Sequence, residues 1–193
     1  MAAPHFSSDL DRAKDAARKR AFLVRAECDP VSGHALGQHL LRDFPPPAGA
    51  VVAGFWPLVG EIDICPLLHA LSQRGHKIVL PVTPRRGTAL TFRLWRPGDA
   101  LVAEQFGTMR AIGDLAVPDF LLVPLLAFDR NGHRLGYGAG YYDRTLAGLP
   151  GATAIGCAFA AQELDAVPTG PYDVPLAAIA TERGVLHVKA TPI

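Results

Sequence analysis

Residues Phe120 to Leu125 form an unbroken apolar run, and a glycine-rich stretch follows within a dozen residues. A strand that is apolar on both of its alternating faces is buried on both, as in a sheet covered by helices on each side. The runs around it have the same character. Ala50 to Trp56, Lys77 to Pro81 and Ala152 to Phe159 read as strands, Ala178 to Val188 as the last strand, and Thr91 to Trp95 alternates like a half-exposed one. Between them lie stretches of helical pattern. These are Asp9 to about Glu27 with Ser8 as its cap, Val31 to about Phe44 stopped by Pro45-Pro46-Pro47, Asp63 to Arg74 ending at Gly75, and Tyr141 to Leu149. Alternating helices and apolar strands predict an α/β sandwich of three layers around a mostly parallel sheet.

Size and charge narrow the function. A chain of 193 residues with 49% hydrophobic residues can bury one full core, so residues 1–193 read as a single domain. The net charge of +1 gives no global pull toward nucleic acid or an anionic membrane. No run of about 18 apolar residues could span a bilayer. Met1 to Ser8 lacks an apolar signal core, and Cys28, Cys65 and Cys157 stand far apart, without paired metal spacing. These features lead us to expect a cytoplasmic protein with free thiols and no structural zinc, and the expected state is a monomer, although no sequence feature fixes it.

The chemistry concentrates in Phe128-Asp129-Arg130-Asn131-Gly132-His133-Arg134-Leu135-Gly136-Tyr137-Gly138-Ala139-Gly140-Tyr141-Tyr142-Asp143-Arg144. Glycines at 136, 138 and 140 let the backbone bend tightly and bring N–H groups close to a ligand. With Arg134 before them and Asp143 after, the run reads as a phosphate cradle with its own cation and its own metal ligand. It is neither a Walker A loop, since no Gly-Lys-Ser/Thr follows, nor a dinucleotide fingerprint, since Tyr141 stands where the third glycine belongs. The plain structural alternative is a surface hairpin, because Asp129-Arg130-Asn131-Gly132 is strong turn chemistry. The two can coexist, one leading into the other. The loop leaves the carboxyl end of a buried strand, where open α/β sheets place ligands.

Val123-Pro124-Leu125-Leu126-Ala127-Phe128-Asp129, followed by Arg134-Leu135-Gly136-Tyr137-Gly138-Ala139-Gly140-Tyr141-Tyr142-Asp143, closely resembles the signature of the 5-formyltetrahydrofolate cyclo-ligase family, also called 5,10-methenyltetrahydrofolate synthetase. The likeness runs more loosely through most of the chain. It implies a fold of the ribose-phosphate isomerase and CoA-transferase type. It also implies ATP as co-substrate, magnesium as cofactor, and 5-formyltetrahydrofolate, with or without a polyglutamate tail, as substrate.

The resemblance also distributes roles. Lys14 and Arg18 match a Lys-x-x-x-Arg pair that contacts ATP. On residues alone, Lys14, Arg18 and Arg25 share one face of the first helix and would suit an anion or simply solvent. Arg134 to Tyr142 match the ATP loop, and Tyr137 to Tyr141 also the folate contact, with Arg134 and Tyr141 as the catalytic candidates. Glu61 matches the pterin-binding glutamate, since one carboxylate can accept both the 2-amino group and the neighbouring ring N–H. Trp56 and Phe106 fall where the family contacts the folate. Without the resemblance Glu61 reads as an acid at a helix start and Trp56 and Phe106 as core. Asp143 and Asp173 match the magnesium ligands. Gln162 matches a recurrent position without a role.

Three departures stand out. Ala139 replaces the glycine or lysine of other members, Tyr172 a common histidine, and Ala177 a common aspartate. The leading expectation is ATP-dependent ring closure of 5-formyltetrahydrofolate. The alternative kept open by Ala139 and Ala177 is a relative that binds folate or nucleotide without turnover. A phosphosugar isomerase or CoA-transferase on a similar scaffold is a fold-level analogy only.

Overall fold

We describe the protein from a computed structural model, which covers residues 6–188. The sequence reading of Met1 to Ala3, Pro4 and His5 lies outside the described residues. The described residues open with helix α1 (Phe6–Ala26), which already contains Ser8, the residue read from the sequence as its cap. A short 3-10 turn, Pro30–Ser32, leads into α2 (Gly33–Asp43), which ends before the three prolines as their missing N–H groups require.

The central sheet assembles from strands far apart in the chain. Strand β1 (Val51–Ala53) is followed by α3 (Cys65–Gln73), β2 (Lys77–Val82) and β3 (Thr91–Trp95). A small hairpin, β4 (Leu101–Ala103) and β5 (Met109–Ala111), precedes β6 (Phe120–Pro124). A second hairpin, β7 (Ala127–Phe128) and β8 (Arg134–Leu135), leads to α4 (Tyr141–Ala147), β9 (Thr153–Cys157), β10 (Ala178–Thr181) and β11 (Gly184–His187). The sheet order is β11-β10-β9-β6-β1-β2-β3. Neighbours from β10 to β2 run parallel, while β11 and β3 close the two edges antiparallel.

Two cores flank the sheet, which makes the three layers expected. One face carries Val52, Ile78, Leu80, Phe120 and Leu122 against Leu36 and Leu40 of α2 and Leu67, Leu68 and Leu71 of α3. The other carries Ala53, Val79, Leu121, Val123 and Ile179 against Leu146 of α4 and Leu176. Successive residues of β6 thus enter opposite cores, which is why its sequence is apolar without alternation. Helix α1 packs separately, through Ala17 and Ala21, on Leu126, Ala127 and Leu135 of the second hairpin.

Some boundaries differ from the sequence reading for local reasons. The first strand stops at Ala53, and Gly54 follows so close to Leu68 that a Cβ would come within 2.5 Å of that side chain. The chain then leaves the sheet and carries Phe55 and Trp56 away from it. The expected last strand, Ala178 to Val188, is a hairpin: Thr181 pairs with Gly184 across Glu182-Arg183. The β4–β5 hairpin had no apolar alternation long enough to announce it.

The connection after β1 runs through α3 to β2 on one side, while β6 pairs on the other side of β1. The direction of winding reverses between β1 and β6. In open α/β sheets the crevice outside the carboxyl ends at such a point is where ligands bind.

Candidate active site

At that point a cleft of about 500 Å³ opens. Phe55, Trp56, Leu58 and Glu61 reach it from the segment after β1, and Pro81, Thr83 and Arg86 from the end of β2 and the loop beyond it. Pro124 closes β6, and the whole run Arg134 to Asp143 follows. Lys14 and Arg18 line it from α1, Phe106 from the β4–β5 hairpin, and Asp173 from the loop before β10. Every residue that the sequence assigned to ATP, folate or metal therefore faces one cavity.

The hairpin and the loop are consecutive. Asp129, 1% exposed, accepts through Oδ1 from the backbone N–H groups of Asn131 (2.9 Å) and His133 (3.1 Å) and through Oδ2 from that of Val167 (3.0 Å), with Oδ2 also 3.1 Å from the His133 ring. Burial alone would push its carboxyl up, but these donors hold it below the usual range. The turn so fixed sends β8 back against β7 and launches the glycine loop from its end. Gln162 braces the same region by donating to the carbonyls of Leu125 (3.0 Å) and Leu126 (2.8 Å). That is a structural role for a residue the sequence left unassigned.

Within the loop, Gly138 and Gly140 adopt φ of +93° and +67°, the left-handed region that favours glycine. At Gly136 an added Cβ would meet nothing within 4 Å, so the backbone there lies open to the cavity. Among the described residues, no backbone hydrogen bond uses the N–H groups of Gly136 to Gly140. They are available as donors, as an anion cradle requires. Leu135 is 1% exposed and belongs to the α1 core, so its contribution to the cleft is mainly backbone.

The cations and acids are paired. Lys14 Nζ lies 2.5 Å from Asp173 Oδ2, which also accepts from Gly170 N–H at 2.7 Å. The Arg134 guanidinium, nearly buried, lies 2.6 Å from Asp143 Oδ1 and donates as well to the Val174 carbonyl. Burial lowers the Arg134 pKa, and the charges of Asp143 and Asp173 oppose that shift. Asp143 Oδ1 accepts from Val174 N–H at 3.2 Å, which brings the segment carrying Asp173 up against Asp143. Arg18 donates through Nε to the Gly136 carbonyl at 3.0 Å. Arg25 does not join this face: it turns toward Tyr137 and Glu61, outside the cleft lining.

The second half of the cleft is more apolar. Trp56 packs edge-on against buried Trp95, ring centroids 5.9 Å apart, and shows its remaining surface to the cavity. Phe106 is 61% exposed at φ +64°, so it is not a core residue. A phenylalanine held in left-handed backbone and open to solvent gains little from packing in return for that conformation. Glu61 is buried. It accepts from Leu58 N–H at 2.8 Å and from the Tyr137 hydroxyl, and burial pushes its carboxyl up. Burial also pushes the Tyr137 and Tyr142 phenols up. The Tyr141 hydroxyl donates to the Pro84 carbonyl at 2.8 Å, leaving its ring as the part offered to the cleft.

Sequence reasoning missed Arg86, Thr83, Thr108 and Asp11 in the lining. For Arg86 a signal existed: a basic pair, Arg85-Arg86, just beyond the carboxyl end of a strand. Of the departures, Ala139 lines the cleft, whereas Tyr172 and Ala177 do not. Ala177 is exposed, with its backbone bonded to Ala154 and Val188. Among the described residues no cluster of three or more His, Cys, Asp or Glu could hold a metal, and no helix is long and apolar enough to cross a membrane.

Fold and cleft together define an α/β protein with one cleft at the carboxyl ends of its strands, lined by a glycine loop, paired cations and acids, a buried glutamate and aromatic rings. Residues 14–182 match the model of the 5-formyltetrahydrofolate cyclo-ligase family, and the chain belongs to that family. It is 32% identical over 174 residues to the 5-formyltetrahydrofolate cyclo-ligase of Escherichia coli (strain K12), covering 83% of this chain and 96% of that one. It is 33% identical over 157 residues to that of Mycolicibacterium smegmatis, covering 74% and 79%. The fold matches the solved structure of Aquifex aeolicus 5,10-methenyltetrahydrofolate synthetase with a TM-score of 0.76 at 25% identity, over 93% of this chain and 95% of the other.

Proposed function

We propose that this chain catalyses the ATP-dependent cyclisation of 5-formyltetrahydrofolate to 5,10-methenyltetrahydrofolate, releasing ADP and phosphate. The observation that carries the assignment of residues is the shared cleft: a glycine loop with free N–H groups meets two helix cations on one side and a buried carboxylate on the other. The N-formyl oxygen attacks the γ-phosphorus of ATP, the bond to the β-phosphate oxygen breaks, and ADP leaves. The resulting imidate carbon is then attacked by the N10 amine, which loses its proton. The C–O bond breaks, and phosphate departs with the oxygen that could not leave as hydroxide.

The protein's part is alignment and charge. Lys14, Arg18 and Arg134 stabilise the phosphates, and the N–H groups of Gly136 to Gly140 take their equatorial oxygens. Glu61 accepts from the pterin, with Trp56, Phe106 and Tyr141 as the ring surfaces around it. Arg86, exposed at the rim, is the cation suited to glutamate carboxylates of the folate tail. Asp143 and Asp173 suit magnesium: two carboxylates on adjoining segments leave positions for phosphate oxygens and water, as that ion prefers. Bound there, the ion supplies neutralisation of phosphate charge.

The test is an absorbance assay. Protein, 5-formyltetrahydrofolate, ATP and magnesium are mixed, and the near-ultraviolet band of the methenyl product is followed, with ATP omitted as control. Growth that depends on ATP is expected. No growth, with folate still bound in a titration, would overturn the catalytic reading.

A further inference from the structure

Arg25 is buried to 7% exposure at the end of α1, away from the basic pair that lines the cleft. Its guanidinium donates to the Tyr137 hydroxyl and lies 3.8 Å from Glu61 Oε1, while Tyr137 in turn donates to the same carboxylate oxygen. The cation lies 5.2 Å from the Phe22 ring centre and 5.6 Å from that of Tyr137, and the two rings are themselves neighbours, 6.1 Å apart. Three elements are joined here: α1 by Arg25, the segment after β1 by Glu61, and the glycine loop by Tyr137.

A buried carboxylate needs a partner to stay charged. Burial pushes the Glu61 acid up, and the Tyr137 hydrogen bond, the Leu58 N–H and the charge of Arg25 pull it back. The groups that face it are Arg25 from α1, Tyr137 from the loop and Tyr142 from α4. Arg25 is the cation among them, yet it does not line the cleft.

We infer that Arg25 is a positioning residue for folate binding. It keeps the Glu61 carboxylate charged and aimed at the pterin, and it ties the glycine loop to that carboxylate through Tyr137. The inference rests on the reading of Glu61 as the pterin acceptor.

The experiment compares Arg25→Met, Arg25→Lys, Tyr137→Phe and Glu61→Gln in the methenyl assay across pH. Folate binding without ATP is followed in parallel by tryptophan fluorescence. In Arg25→Met the KM for 5-formyltetrahydrofolate should rise about tenfold or more, with kcat changed far less. The acid limb of kcat/KM should move to higher pH, because Glu61 without its cation protonates more readily. Arg25→Lys should recover most of both effects. A lower melting temperature with KM and the acid limb unmoved would make Arg25 a packing residue only and overturn the inference. If Arg25→Met does not fold, Tyr137→Phe decides: it keeps the ring and removes only the bridging hydroxyl, and an acid limb that stays in place would overturn the bridge. Glu61→Gln separates the two readings. Unchanged folate binding in that variant refutes the pterin role of Glu61 itself, whereas lost binding there beside a wild-type Arg25→Met refutes only the role of Arg25.

Discussion

Lys14 Nζ lies 2.5 Å from Asp173 Oδ2, so a cation assigned to phosphate neutralises a carboxylate assigned to metal. Arg134 and Asp143 repeat the arrangement at 2.6 Å. The two pairs balance each other's charge, and on the proposed roles a metal–nucleotide would exchange both at once: carboxylates to metal, cations to phosphate. Either ligand alone must break a pair without offering the leftover group a new partner.

Lys14→Gln should therefore have opposite effects on the two ligands. Asp173 loses its ammonium, and a divalent metal alone should bind several-fold more tightly. ATP should bind about tenfold more weakly, the loss of one charge-assisted contact. Manganese titration by electron paramagnetic resonance without nucleotide, beside nucleotide titration with the metal held constant, checks both. Weakening of both ligands together would mean that Lys14 merely holds the loop of Asp173.

The glycines of the loop should separate by role. Gly136→Ala places a methyl in open space, so the melting temperature should hold while the KM for ATP rises, because the methyl occupies the room the ligand needs. Gly138→Ala should itself destabilise by about 1–2 kcal/mol, since φ is +93° and the new Cβ would lie 3.2 Å from the Arg18 guanidinium. Thermal melts and ATP kinetics on the two proteins decide. Equal loss of stability in both would contradict the open backbone at Gly136.

Asp129 is expected to set acid stability. Its carboxyl is held low in the folded chain, despite burial, by four donors, so its contribution is present above the ordinary aspartate value. The contribution is lost as the pH falls from about 4 downward through the lowered value. Asp129→Ala leaves three backbone N–H groups without their acceptor and should cost about 3 kcal/mol or more near neutrality. Denaturant unfolding at several pH values measures it. The variant should show a flatter acid dependence than the parent chain, and an equally steep one would point to another carboxylate.

How much of this was legible follows from which forces act locally. The turn at Asp129 to Gly132, the glycine loop and the central strand β6 are written in short contiguous runs, and the structure has them where the sequence implied. The strand after Pro47 and the last strand were read too long. Apolar composition continues past Gly54 and resumes after Glu182-Arg183, while the strand ends at Ala53 in one place and the chain turns back in the other. The residues of the cleft came out of family likeness more than physics: on its own Glu61 was a helix-start acid and Phe106 a core side chain. What the sequence could not carry was pairing across 159 positions, as between Lys14 and Asp173, or the turn of Arg25 away from the helix face it shares with Lys14 and Arg18. Such contacts depend on how α1 docks onto the second hairpin, and no local pattern encodes that.

Phe106 offers the sharpest contrast between stability and function. Its backbone sits at φ +64°, which costs a β-carbon-bearing residue roughly 1 kcal/mol that glycine does not bear. Its ring is 61% exposed and so returns little by burial. Phe106→Gly should therefore leave stability unchanged or raise it by about 0.5–1 kcal/mol, the strain relieved being offset by the greater freedom of glycine in the unfolded chain. The same change removes a ring surface from the cleft. Loss of an aromatic contact on the pterin should raise the folate KM by about tenfold, with the KM for ATP little affected. Melting curves and the methenyl assay on one purified variant test both halves. A destabilised protein with normal folate kinetics would show that the ring packs for the fold after all, and that its strained backbone has a different cause.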